Sequence, residues 1–382
     1  MTSGGSAFEL TRRSFLRAAL LAPAALLQSG ARFIANVPLG TPGGGRVPPF
    51  GRLLGAGLDA RLFTDLSALS SDKPETRITA TDRFFVRTAA PAALRPDGWM
   101  MRIGGLVASS LDVDAKTLDA LTVRGGRYLL ECSGNVDQSN YGLMSTADWD
   151  GVPLGRILDR VRPSTASHRV LVSGLDDAAS AAASSVPGAS WIFPRGDLDR
   201  ALLATRMNGA ALPRDHGAPV RLIVPGWYGC ACIKWVNQID LVANDAAATA
   251  QMREFAARTH QDGIPPLARD FLPAVIDTAA MPVRVEKWVA DGRLFYRIAG
   301  IIWGGAKPTN ALSIRFKSGA PWVKVDDCPL PESTLTWSLW SHTWRPPSRG
   351  RYQIVLRVDD ASIRTRRLDL FFYVREIDID EI

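Results

Sequence analysis

After residue 280 the chain changes character in a way that few folds accommodate. Residues 283–289, 294–302, 311–316, 322–325, 333–340, 352–358 and 364–374 each alternate or run apolar over a short stretch. Turn pairs such as Asp291-Gly292 and Arg349-Gly350 divide them. About seven short strands in about a hundred residues is the pattern of an antiparallel β-sandwich. Trp303, Trp322, Trp337, Trp340 and Trp344 crowd the same region, and the whole chain carries 11 Trp and 33 Gly. That usage suits a strand-rich, turn-rich protein and argues against a helical bundle.

Upstream the periodicity is mixed. Residues 83–88, 99–107, 169–173, 219–224 and 233–242 read as buried or extended strands. Leu154, Ile157, Leu158 and Val161 fall at helical spacing, and Pro163 ends that helix. Residues 197–207 read as a second helix, and the Ala/Ser-rich 178–185 as a loop. The expected fold class is therefore α+β: a mixed α and β domain over 46–245, a connecting segment over 246–280 with little pattern, and an all-β sandwich over 281–382. A length of 382 residues is enough for two domains, each with its own core.

The first residues carry a different signal. Arg12 and Arg13 precede Ser14-Phe15-Leu16-Arg17 and then a weakly apolar Ala/Leu run to Leu27. This reads as a twin-arginine export signal, with an apolar run too short to span a membrane. With the Gly/Pro-rich 38–49 after it, residues 1–45 are expected to be leader and linker, and the protein periplasmic. Chains exported by this route cross already folded, commonly with a cofactor in place.

Net charge is +7, of which Arg12, Arg13 and Arg17 against Glu9 supply two. No polybasic block appears, so nucleic-acid binding is not expected. A modest positive balance suits an anionic cofactor or substrate. The four cysteines, Cys132, Cys230, Cys232 and Cys328, lack the spacing of a disulfide scaffold.

Four motifs carry candidate chemistry. Cys132 follows the apolar Tyr128-Leu129-Leu130 and precedes Ser133-Gly134-Asn135, small residues that let the chain turn sharply. A thiolate there suits a soft metal, although a lone cysteine is as often an inert core residue. Asp215-His216-Gly217-Ala218-Pro219-Val220-Arg221 makes a turn in which His216 and Arg221 can both face one anion, or simply cap a strand. Val224-Pro225-Gly226-Trp227-Tyr228-Gly229-Cys230-Ala231-Cys232-Ile233-Lys234-Trp235 offers Lys234 as a point charge for phosphate, or as a solvated strand end. Arg83-Phe84-Phe85-Val86-Arg87-Thr88 places Arg87 against a buried partner or pocket, or on an edge strand.

Taken together and in order, these motifs resemble the sulfite oxidase family of molybdopterin enzymes. The carrying segments are Phe84–Arg87, Cys132–Asn135, Gly142–Leu154, Gly174–Asp176, Asp215–Arg221 and Val224–Trp235, with 281–382 similar to that family's Ig-like dimerisation domain. The resemblance implies an Mo-molybdopterin cofactor with Cys132 as protein ligand to molybdenum. It places Arg87 near the substrate, with Phe85 beside the pterin. Asp176 would hydrogen-bond the pterin ring, and His216, Arg221, Cys232 and Lys234 would hold the pterin and its phosphate. It implies two-electron oxygen-atom transfer on a small-molecule substrate, and a homodimer. No Cys-x-x-Cys-His haem motif occurs in these residues, so electrons are expected to pass through a separate haem-containing partner.

The sequence also departs from the family. Where sulfite-oxidising members carry two arginines after the cysteine loop, Val136 and Asp137 stand here. A carboxylate repels an anion that a guanidinium would hold. Ala89 replaces a frequent histidine, Ser338 stands near the place of another arginine, and Leu370-Phe371-Phe372-Tyr373 replaces the family's Trp-Asn-x-x-Gly-Tyr run. A less anionic or larger substrate than sulfite is expected, such as an S- or N-oxide. Alternatives are a cofactor-binding scaffold without turnover and a purely structural exported protein.

Overall fold

A computed structural model describes residues 30–42, 50–135, 142–176, 189–370 and 372–382. The leader arginines, Val136, Asp137 and the 178–185 loop lie outside the described residues.

Two five-stranded sheets form the first domain. In one, Arg221–Ile223, Leu202–Met207, Met144–Pro153 and Val123–Glu131 pair antiparallel in that order, with Ala210–Ala211 beside Leu202–Met207. Its middle strand Met144–Pro153 is buried along most of its length. Val123–Glu131 is exposed where it begins and buried over Leu129, Leu130 and Glu131, so it carries the chain from solvent into the interior. The other sheet runs Leu111–Asp114, Met100–Gly105, Val236–Val242, Arg169–Gly174, Ser190–Pro194. Val236–Val242 pairs parallel with Met100–Gly105 and antiparallel with Arg169–Gly174.

Among the described residues helices are few and short. Leu154–Leu158 continues as a tighter turn over Asp159–Val161 and buries Leu154, Ile157, Leu158 and Val161, the face the spacing predicts. Asp114 caps Ala115–Ala120 by accepting the Thr117 N–H at 2.7 Å. The helix expected over 197–207 is a turn, Arg195–Leu198, followed by the strand Leu202–Met207. Leu202, Leu203, Ala204 and Thr205 are buried in succession, so side chains on both faces of this strand are covered. Its apolar run mimics a helix face.

The second domain is a sandwich of two four-stranded sheets. One sheet is Arg32–Val37, Ala279–Ala290, Arg293–Trp303 and Ser338–Trp344; the other is Val323–Lys324, Leu312–Arg315, Gly350–Val358 and Arg375–Ile379. Asp291 and Gly292 both take positive φ, 51° and 71°, in the two-residue turn joining the long hairpin. The chain is thus α+β, dominated by strands.

Three expectations differ from this arrangement. The last strand is Arg375–Ile379, and 364–370 is irregular chain that turns Arg366 inward. Residues 32–37, read as part of the linker, pair with Ala279–Ala290, and Gly40 bridges Glu376 in the opposite sheet. The segment 246–280 is packed chain: Met252, Ala256, Ala268, Phe271 and Ala274 join the first core. Its apolar residues lack period because short turns, rather than one element, present them.

Candidate active site

The buried end of Val123–Glu131 delivers Cys132 to a tight turn. The Cys132 N–H donates to the Leu143 carbonyl at 2.9 Å, and the Asn135 N–H to the Cys132 carbonyl at 2.8 Å. Asn135 Oδ1 accepts the Leu143 N–H at 3.0 Å, which closes the loop onto the next strand. The Gly134 N–H points at Cys132 Sγ, 3.4 Å away. From the opposite side, the Gly229 N–H donates to the Glu131 carbonyl at 2.7 Å.

Cys132 opens onto a cleft of about 810 Å³, open mouth included. Phe85, Arg87, Asp176, Arg221, Cys232 and Lys234 all line it. His216 does not line it: its ring packs edge-on against Phe84, centroids 5.4 Å apart, and Nε2 lies 3.0 Å from the Thr81 carbonyl. Burial and the charges of Lys234 and Arg221 pull its pKa down to about 4, so the ring is neutral and Nε2–H is the donor to that carbonyl. What it stabilises is the turn that carries Phe84–Arg87.

That segment is pinned from several sides. The Phe85 N–H donates to Ser145 Oγ at 3.0 Å, and Phe85 stacks on Phe84. Arg87 Nη1 donates to the Leu58 carbonyl at 2.7 Å. Thr88 sits at φ 134°, a conformation that costs a β-branched residue energy. The strain persists because its carbonyl receives Lys234 Nζ.

The same cleft holds two buried cations, Arg221 and Lys234, with Asp215 and Asp176 the carboxylates that act on Lys234. Arg221 donates from Nη1 to the His216 carbonyl at 3.3 Å, while among the described residues its buried Nε finds no partner. Lys234 Nζ also donates to the Asp215 carbonyl at 3.0 Å. Asp215 spends a carboxylate oxygen on the Ala90 N–H at 2.8 Å. Burial pulls the Arg221 pKa down to about 10, and burial, then Arg221, pulls Lys234 well below its ordinary value. Buried positive charge held mainly by carbonyls calls for an anion. A phosphate-bearing pterin fits here.

The surroundings of Cys132 are cationic as well. Burial raises the thiol's pKa, while Arg87, the Gly134 N–H, Arg61 and Arg258 oppose that rise. Burial and the nearby Arg87 pull Arg61 down to about 10. Arg61 and Arg258 were not legible in the sequence: neither sits in a motif, and Arg258 comes from the segment that showed no pattern. Gln251 and Phe255, also cleft-lining, come from the same segment. All four cysteines are free, and Cys230 shares the cleft with Cys132 and Cys232. Among the described residues no group of three or more His, Cys, Asp or Glu could hold a metal. A metal here would take one thiolate from the protein and its other ligands from a cofactor.

Residues 87–250 match the model of the oxidoreductase molybdopterin binding domain. The chain is 26% identical to the mitochondrial sulfite oxidase of Rattus norvegicus over 317 residues, covering 75% of this chain and 57% of that protein. It is 25% identical to the sulfite oxidase of Gallus gallus over 319 residues, 75% of this chain and 68% of that one. A nitrate reductase of Beauveria bassiana is 26% identical over 273 residues, 63% of this chain and 30% of that protein. The chain thus spans about half the length of the mitochondrial relatives it matches. In fold it is similar to the sulfane dehydrogenase SoxCD from Paracoccus pantotrophus, with a TM-score of 0.61 at 16% identity over 100% of this chain and 96% of that one.

Proposed function

The chain belongs to the sulfite oxidase family of molybdopterin oxidoreductases, and from that premise we propose that it catalyses two-electron oxygen-atom transfer at a molybdenum ligated by Cys132. The observation that carries this is one cleft lined both by Cys132, at the base of its tight turn, and by two buried cations, Arg221 and Lys234. When bound, the molybdenum–pterin group supplies the redox step and the oxygen exchange.

The residues around it bind and orient. Arg221 Nε and Lys234 Nζ would hold the phosphate as charge-assisted donors. Asp176, which also lines the cleft, would accept a hydrogen bond from the pterin ring. Arg87, Arg61 and Arg258 concentrate positive charge beside Cys132, where the substrate's oxygen or sulfur end must sit. Leu58, Phe85 and Phe255 supply apolar wall that keeps water out.

The substrate is read as something other than sulfite. Val136 and Asp137 stand where sulfite-oxidising members carry arginines. The cations beside Cys132 come instead from Arg61, Arg87 and Arg258, and a less anionic or larger molecule with a polarised S- or N-oxide is the better match. The same reading includes export to the periplasm on the Arg12-Arg13 signal, a separate haem-carrying electron partner, and a homodimer formed through an Ig-like sandwich. Among the described residues, no helix is long and apolar enough to cross a membrane.

Metal analysis and pterin fluorescence on protein from a host with the twin-arginine pathway test this. About one molybdenum per chain is expected, lost in Cys132→Ser while the circular dichroism of the fold persists. Protein that binds no metal sinks the enzyme reading and favours a structural role. Bound cofactor with no turnover of sulfite, sulfoxides or N-oxides favours a scaffold. Fast sulfite oxidation at low-micromolar KM overturns the substrate assignment alone.

A further inference from the structure

Glu131, the residue before Cys132, is completely buried, at 0% exposure. Most of its carboxylate's partners come from the other domain. Arg366 grips it with both terminal nitrogens, Nη1 to Oε1 and Nη2 to Oε2, each at 2.7 Å. Trp303 Nε1 donates to Oε2 at 2.8 Å. Asn135 Nδ2, from the far end of the cysteine turn, donates to Oε1 at 3.1 Å. Arg366 is itself fixed: the Tyr373 hydroxyl lies 3.0 Å from Nη1, the ring of Tyr228 packs 5.2 Å from its guanidinium, and its N–H donates to the Thr278 carbonyl at 3.0 Å.

An ion pair this deep is a poor source of net stability, because two desolvated charges regain little more than they lose. What it gives is direction. The carboxylate binds one end of the Cys132 turn through its own backbone and the other end through Asn135. A planar fork then ties that carboxylate to a second domain.

We propose that Arg366 and Trp303 are positioning residues for Cys132: through Glu131 they fix the backbone that presents the thiolate, so the sandwich sets the direction of the sulfur at the metal. This rests on Cys132 being the molybdenum ligand. It gives the second domain a part in the metal site beyond any role in association.

The holoenzyme carrying Glu131→Gln with Arg366→Met tests it, since removing both charges spares the fold an unpaired buried ion. Molybdenum content, the thiolate-to-metal absorption band and the paramagnetic spectrum of the partly reduced metal are read beside kcat and KM. The double variant is expected to fold and load metal, with shifted band and spectrum. Its kcat falls about 10- to 100-fold with little change in KM. Arg366→Lys, which keeps the charge and loses the fork, should fall between the two. Parental spectra and kcat in the double variant overturn the proposal. If that variant fails to fold, Trp303→Phe, which removes one hydrogen bond, decides by the same spectra: a shift supports positioning, and parental spectra overturn it. A Cys132→Ser protein that keeps the thiolate-to-metal band overturns the ligand assignment itself, separately from any Arg366 result.

Discussion

At the scale of single residues, the cleft is a place where ionisation states are set by burial. Arg221 and Lys234 line the same cleft as Cys132, and each is expected to contribute a charge-assisted bond to a phosphate. Arg221→Met or Lys234→Met should therefore weaken cofactor retention by about 10- to 100-fold, measured as molybdenum remaining after gel filtration. Unchanged retention would remove both from the phosphate site. His216 makes a different prediction. Its folded pKa of about 4 lies below the unfolded value near 6.5. The unfolded chain takes up the proton first as pH falls. Stability is thus complete above pH 6.5 and drains away toward pH 4, by up to about 3 kcal/mol. Urea midpoints of cofactor-free protein should show that acid limb, and His216→Gln should flatten it; an identical limb in both assigns it to other groups. Cys132, Arg87, Arg221 and Lys234 were legible because each lies in a motif with a fixed neighbourhood. Arg61 and Arg258 were not, because only folding brings them to the thiol.

At the scale of elements, close approach explains what periodicity missed. Gly174 ends the strand Arg169–Gly174 against the backbone that carries Lys234, and a Cβ there would lie 2.0 Å from the Lys234 carbonyl. Gly174→Ala is expected to push that backbone outward, at a cost of about 1–3 kcal/mol in stability and a matching loss of cofactor. Thermal melts with metal analysis check both; a loss of stability with full metal content would separate Gly174 from the site. The misread helix over 197–207 has a related cause. Residues buried on two sides lose the alternation that marks a strand, so Leu202-Leu203-Ala204 carried no period of two. The hairpin across Asp291-Gly292 is also buried along most of both strands, but its turn pair marks where the chain reverses, and there sequence and structure agree.

At the scale of the whole molecule, the division into domains is less linear than the chain. Leu66, Leu69, Leu129 and Met144, all from the first half of the sequence, pack into the core of the sandwich. Residues 32–37 complete one of its sheets and Gly40 touches the other. No local pattern could announce this, since the pairing partners lie hundreds of positions away. Removing residues 30–42 should uncover the edge of Ala279–Ala290 and strip Phe33 from Trp288. A loss of about 2 kcal/mol and concentration-dependent scattering are expected; a truncated protein that melts and stays dispersed like the parent would show the strand to be dispensable. The early strand also has a consequence in time. Synthesis delivers residues 32–40 long before the strands that receive them, and such distant pairings form slowly. A nascent chain therefore carries an open seam until its final segments emerge. If export follows folding, closure of that seam is the event that separates cargo fit to leave from cargo that must wait.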